Sequence, residues 1–229
     1  MLAKNRMKSF ALAAVLAIIG SDLALAQNDP LQKVLNHLDG ASLRFESAQA
    51  DFTADSYTAV VDSHSIQKGT IAFRRKADKV EMGMHVKTED GRPSEKYVLY
   101  KNGQLDYYQP ALKQETILKG GSNYDRYFSL GFGGSGQALK RDWNIKYEGT
   151  ETVNGAETAK LNLTPKTPSD QFTHIVIWVD AERGVSLKQE VFQSSGDTRT
   201  ATYSNIKMND VPDSAFELHV ASGTQVQRR

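Results

Sequence analysis

Few residues in this chain could do chemistry. The five histidines, at positions 37, 64, 85, 174 and 219, are scattered with no pair at ligand spacing. His37 falls on the polar side of a helical pattern and His85 on the polar face of a strand pattern, so both read as solvated groups. Asp78, Glu81, Glu89 and Asp90 bring carboxylates together, as acid–base catalysis would require. Their alternation with apolar residues instead predicts a charged strand edge and turn. Gly131-Phe132-Gly133-Gly134-Ser135-Gly136 matches G-x-G-x-x-G, but a dinucleotide fingerprint needs a strand before it and a long helix after it. Neither pattern is present, and the stretch reads as a mobile loop. No G-x-S-x-G elbow, P-loop or H-E-x-x-H occurs. There is no cysteine, hence no thiolate nucleophile, thiolate metal site or disulfide. The chain is read as a non-enzyme, with no metal and no cofactor.

One cation stands apart. In "GTIAFRRKADKVEMGMHV", Ile71, Phe73 and Arg75 share a strand face. Two readings stay open: Arg75 snorkels to water at the rim of a sheet, or it carries its donors inward. Arg74 takes the opposite face and reads as a group whose loss should change little.

The elements that must hold these residues come next. Residues 1–26 read as a secretory signal peptide: Lys4, Arg6 and Lys8, the apolar run from Phe10 to Gly20, then Ala24-Leu25-Ala26 as cleavage site. The apolar run is too short to span a bilayer. Residues 27–229 are then one domain of about 200 residues in an extracytoplasmic space, most simply a bacterial periplasm. The formal net charge of +1 for the whole chain argues against nucleic acid and against a polybasic membrane-surface protein. Apolar residues make up roughly a third of the mature chain, too few for a thick core.

A helix is predicted from Asp29, a cap followed by Pro30, with Gln32 completing a capping box and Gly40 ending it. Leu31, Val34, Leu35 and Leu38 form its apolar stripe. Strand alternation dominates the rest: Val80, Met82, Met84 and Val86, then Leu161 and Leu163, then the two-sided "THIVIWVD". Tight turns at Asp90-Gly91, Asn102-Gly103, Asn154-Gly155, Gly184 and Gly196 imply an antiparallel meander. The Asn102-Gly103 hairpin pairs Lys101 with Gln104, Tyr100 with Leu105, Leu99 with Asp106 and Val98 with Tyr107. Val98, Tyr100, Leu105 and Tyr107 then share one face, and Tyr97, Leu99, Asp106 and Tyr108 the other. Which face is inward stays open. "GGSNYDRYFSLGFGGSGQALKRDW", 120–143, breaks the rhythm and reads as short helical turns and loop around an apolar knot.

These residues carry a resemblance. "GTIAFRRKADKV", "YVLYKNGQLDYYQP", "LNLTPK" and "FTHIVIWVDAERGVSLKQEVFQSSGDTRTATYSNIKMNDVPDSAFEL", in this order, resemble the periplasmic outer-membrane lipoprotein carriers, LolA and its relatives. Lys76 stands where the family favours proline, Asp106 where an aromatic is common, and Val220-Ala221 where a proline is usual. The resemblance implies an α+β, mainly antiparallel fold: a strongly curved, incomplete β-barrel with a lid of short helices over an apolar concave face. It implies a periplasmic carrier, a monomer, that takes acylated lipoproteins from an inner-membrane lipoprotein-releasing ABC transporter to an outer-membrane lipoprotein acceptor. It implies no cofactor. Arg75 matches the strand arginine that clamps the lid. The lid would comprise Leu31, Leu35, Leu38, Tyr127, Phe128, Leu130 and Phe132. The acyl-chain cavity would be lined by Ile71, Phe73, Val98, Tyr100, Leu105, Tyr107, Ile175 and Ile177. The alternative is a lipid-binding or lipoprotein-sensing module of the same fold, with a glycolipid, hopanoid or phospholipid ligand.

Overall fold

In the computed structural model, Asp29 starts the first helix, its carboxylate accepting from Leu31 N at 2.9 Å with Pro30 in the first turn. The structure describes residues 29–76, 79–119, 130–169 and 171–229, so the signal-peptide segment lies outside them, as do Asp78, Tyr127 and Phe128. Helix α1 spans Pro30–Ser42 and buries Leu35, Leu38 and Ala41. Two expectations fail here. Gln32 does not reach back to the cap; its amide donates to Asn36 Oδ1 at 2.7 Å. Gly40 does not end the helix, which runs on to Ser42. The last carbonyls find other donors: Arg44 reaches Gly40 O at 3.0 Å, Ser42 Oγ reaches Asp39 O at 2.8 Å, and Arg75 reaches Ser42 O.

Among the described residues twelve strands follow: β1 Ser47–Thr58, β2 Ser63–Lys76, β3 Lys79–Glu89, β4 Arg92–Lys101, β5 Gln104–Gln109, β6 Gln114–Lys119, β7 Trp143–Val153, β8 Ala156–Pro165, β9 His174–Asp180, β10 Val185–Phe192, β11 Thr198–Met208 and β12 Gln225–Arg228. Helix α2, Gly136–Asp142, precedes β7. They form one open sheet in the order β12-β6-β5-β4-β3-β2-β1-β11-β10-β9-β8-β7. Every pairing is antiparallel except β12 on β6. Two meanders, β1 to β6 and β7 to β11, join where β1 pairs β11. The result is a curved, incomplete barrel. The Asn102-Gly103 hairpin has the expected register, with φ of 53° and 75° at its two central residues. Among the described residues no helix is long and apolar enough to cross a membrane.

The outer face of β2 to β6 is covered by the chain that follows β11. A 3-10 turn, Asp213–Phe216, lies against it so closely that a Cβ on Gly83 would stand 1.9 Å from Ala215 O. Phe216 is buried beneath the Arg74 guanidinium, 4.1 Å from its ring centre. Arg74 also bonds Asp213 and the buried Glu81, the latter at 2.5 Å. Both sequence expectations for this pair are corrected: Arg74 is not a bystander and Glu81 is not an exposed edge charge. Tyr108 is buried too, its hydroxyl accepting from Ala221 N at 3.3 Å. The second side of these strands is apolar because the C-terminal strap lies on it.

The strap also buries Glu115, which faces Tyr108 across β5 and Val226 across β12. Desolvation, then the charge of Asp106, push its carboxyl above the usual 4.5. Ionising it therefore costs more in the native than in the unfolded state, and stability falls as pH rises from the unfolded value through the native one. Glu115→Gln should raise the midpoint of thermal unfolding at pH 7, with the gain vanishing in acid below the unfolded value. Melting curves taken from acid to neutral pH check this; a gain independent of pH would refute it.

Candidate ligand-binding site

Pairing alone now settles which residues share the inner face. Phe73 pairs Met82, Met82 pairs Tyr100 and Tyr100 pairs Leu105. Ile71 leads in the same way through Met84 and Val98 to Tyr107. In the other direction Ile71 pairs Ala50, Ala54 pairs Ala201, Ala201 pairs Gln189 and Gln189 pairs Ile177. With Ile175 two residues before Ile177, all the residues expected to line the cavity lie on one face. Ala48, Ala50 and Ala54 at the middle of the sheet leave room above β1 for larger side chains.

Two different things occupy that face. Over β7 to β10, Leu35 and Leu38 of α1 and Leu139 of α2 pack on Leu161, Leu163, Ile175, Ile177 and Val179. Leu130 joins this cluster as a buried member, and Leu31 flanks it partly buried. Ile175 and Ile177 are thus beneath the helices. Over β1 to β4 the filler is Phe132, stacked on Phe73 at 4.1 Å and edge-on to Tyr203 at 5.1 Å. Trp178, on the outer face, is buried by a different set: Lys188 and Lys160 cover its ring at 4.0 and 5.1 Å, and Nε1 donates to Glu151 Oε2 at 2.9 Å.

The two helices and the 130–136 segment are tied together. Gln137 N donates to Asp39 Oδ1 at 3.0 Å, and Ser135 Oγ caps α2 by accepting from Ala138 N at 3.1 Å. A Cβ on Gly136 would stand 2.3 Å from Leu35 O, and one on Gly133, at φ of 73°, 2.2 Å from the Phe45 ring. The glycine-rich stretch is therefore no free loop in the part described. Its glycines permit close approach, and Ser186 N donates to Gly131 O at 2.5 Å.

Arg75 sits where these pieces meet. Nη1 donates to Ser42 O at 2.7 Å and Nη2 donates to Gly133 O. One is a carbonyl at the end of α1, the other a carbonyl just before α2, and the guanidinium lies 5.7 Å from the centre of the Phe45 ring. Of the two readings left open for this side chain, the inward one describes its position. The Ser42 carbonyl otherwise meets only a long contact from Phe45 N at 3.4 Å, so the guanidinium supplies its short hydrogen bond.

Among the described residues the inner face holds a cavity of about 70 Å³ between Phe52, Ile71, Met84, Val191, Arg199 and Tyr203. That is far below the roughly 300–1,000 Å³ of an ordinary ligand pocket. Tyr203 is buried, and desolvation pushes its hydroxyl up to about 12. The hydroxyl meets Gln189 Oε1 at 3.3 Å, while Gln189 Nε2 donates to Leu130 O at 2.6 Å. Sequence reasoning missed Arg199, Gln189 and Tyr203. Only the alternation of β10 and β11 around Val191 and Ala201 could have placed them on this face. A larger cleft of about 280 Å³ lies on the outer face, under the strap beside Gly83, His85 and Tyr97. Among the described residues no group of His, Asp or Glu is placed to hold a metal ion.

Comparison with known proteins adds the following. A family model described as "-like: Uncharacterized protein" matches residues 103–227. No curated protein matches the sequence. Among solved structures, an uncharacterized conserved protein from Thermus thermophilus superposes with a TM-score of 0.56 at 10% identity, over 88% of this chain and 100% of that one. The MucA/MucB complex of Pseudomonas aeruginosa gives 0.50 at 16% identity, over 83% of this chain and 62% of that one. A LolA superfamily protein from Nitrosomonas europaea gives 0.41 at 16% identity, over 82% and 97%. At such identities the likeness is one of fold. That fold, an open curved sheet with helices across the inner face, is the architecture the sequence resemblance implied. The family model spans more than half of the chain, so the protein belongs to the family that model describes.

Proposed function

We propose that the protein binds acyl chains on the apolar inner face and carries them, as part of a lipid or a lipoprotein, through the periplasm. The observation that supports this is a face of apolar strand residues filled by the protein's own lid and latched by one side chain. Phe132, Leu130, Leu35 and Leu38 occupy what an acyl chain would occupy, and Arg75 holds them there through two carbonyls. Each acyl CH₂ removed from water contributes about 0.8 kcal/mol, so two or three chains on an open apolar face would bind too tightly to be released. A cargo that must displace a packed lid is held by the difference between two burials, which is smaller.

In this reading the chain is no enzyme. Its partners would be a membrane machine that loads it, such as an inner-membrane lipoprotein-releasing ABC transporter, and an outer-membrane acceptor that unloads it. Native mass spectrometry of protein purified from a periplasmic extract, paired with displacement of a fluorescent fatty acid, tests the proposal. The expected result is a bound acylated species, displaced by unlabelled lipopeptide or lipid without added metal or nucleotide. Failure to bind any acylated probe, or binding that requires metal or ATP, would overturn it.

A further inference from the structure

Arg199 lies on the inner face of β11. It pairs Ser56 on one side and Val191 on the other, and it lines the small cavity with Phe52, Ile71, Met84 and Tyr203. It is half-buried. Among the described residues, no hydrogen bond or ion pair reaches its guanidinium. Two other cations on this face are engaged: Arg75 by two carbonyls, and Lys96 by Glu89 at 2.8 Å. The Tyr203 hydroxyl in the same cavity supplies no counter-charge, since burial raises it and keeps it protonated. Glu89 is spoken for by Lys96 and Gln67. A guanidinium keeps its charge at any physiological pH, and withdrawing one partly from water beside Phe52, Ile71 and Met84 costs free energy that an anion would offset.

From this placement we infer that the ligand carries a phosphate group next to its acyl chains, and that Arg199 is the residue that selects it. The inference rests on the acyl-binding reading and narrows its substrate class to an anionic phospholipid. Two further donors are poised beside the guanidinium. Gln189 Nε2 donates to Leu130 O of the lid, and Tyr203 leans on the same glutamine. When the lid lifts, the glutamine amide loses its acceptor. A phosphate or ester oxygen can then take the place of the Leu130 carbonyl. The lid thus covers the apolar floor with Phe132 and occupies the polar corner with a backbone oxygen. Guanidinium geometry suits a phosphate, which accepts two parallel N–H bonds.

The test compares dihexanoyl phosphatidylglycerol, dihexanoylglycerol with the same chains, and inorganic phosphate, by competition against a fluorescent fatty acid and by calorimetry. The wild type should bind the phospholipid about tenfold or more tighter than the neutral diacylglycerol, a ratio equal to one charge-assisted hydrogen bond. It should bind inorganic phosphate far more weakly than either. Arg199→Gln should abolish the ratio, the phospholipid losing about tenfold more affinity than the neutral lipid. Arg199→Lys, which keeps the charge but not the fork, should keep part of it. Equal binding of both lipids by the wild type would overturn the role of Arg199 while leaving acyl binding intact. Phosphate bound as tightly as phospholipid would overturn the lipid source of the anion. Binding of neither lipid would remove the acyl-binding reading and this inference together.

Discussion

Arg75→Leu should open the lid. The wild-type guanidinium bridges the end of α1 to the segment before α2, through Ser42 O at 2.7 Å and through Gly133 O. A hydrogen bond from a charged donor is worth about 1.5–3 kcal/mol, and about 1.4 kcal/mol is a factor of ten in an equilibrium. Losing even one of the two should raise the open population about tenfold. The β2 backbone is held separately, since Arg75 N donates to Glu46 O at 2.9 Å, so the sheet itself should survive. Amide exchange in the cargo-free mutant should quicken around Leu35 and from Leu130 to Leu139. Acyl cargo should be held more tightly and handed on more slowly, because a closed lid no longer competes. Arg74→Leu is no silent control, since it strips the buried Glu81 of its guanidinium. Lys76→Ala, at an exposed position on the same strand, serves instead. Wild-type exchange in the lid of Arg75→Leu would show that the two bonds do not hold it shut.

Phe132→Ala should lower stability and raise affinity at once. The ring is buried to 2% exposure, stacked on Phe73 and edge-on to Tyr203. Truncating a buried phenylalanine costs about 3–5 kcal/mol through lost transfer energy and the cavity left behind. For a domain of this size each kcal/mol lowers the unfolding midpoint by roughly 2–4 °C. The same truncation leaves a void against Phe73 and against Tyr203, whose ring also lines the cavity of about 70 Å³. Cargo would then fill a void instead of displacing a ring, and its dissociation constant should fall while the melting temperature falls. Opposite signs are the signature of a plug. If affinity dropped along with stability, Phe132 would be part of the wall.

The hairpin at Asn102-Gly103 shows how far local pattern reaches. Two residues that tolerate positive φ, flanked by period-2 alternation, leave one sensible register, and the paired residues are those expected. The start of α1 was equally legible, because Asp29 and Pro30 act within one turn of the chain. Its end was not. Gly40 is a reasonable stop by local rules, yet the helix runs on to Ser42, and its last carbonyls are met by Ser42 and Arg44 nearby and by Arg75, 33 residues beyond Ser42. The glycines from 131 to 136 misled for a related reason. Glycine is chosen both where a chain must bend freely and where two backbones must touch, and composition does not separate the two.

By itself, then, the sequence determined the alternation of each strand, the turns between neighbours, the absence of cysteine chemistry and the cap of α1, all of which depend on residues close along the chain. Only the tertiary structure decided which face of the two-sided strands turns inward and that the C-terminal strap buries the other. It also decided that Arg74 and Glu81 form a buried pair, and that Arg199 turns into the inner-face cavity beside Phe52, Gln189 and Tyr203. Those are statements about partners far apart in sequence. A charged residue in a strand pattern looks the same whether water, a carboxylate or nothing faces it, until pairing across the sheet names its neighbours.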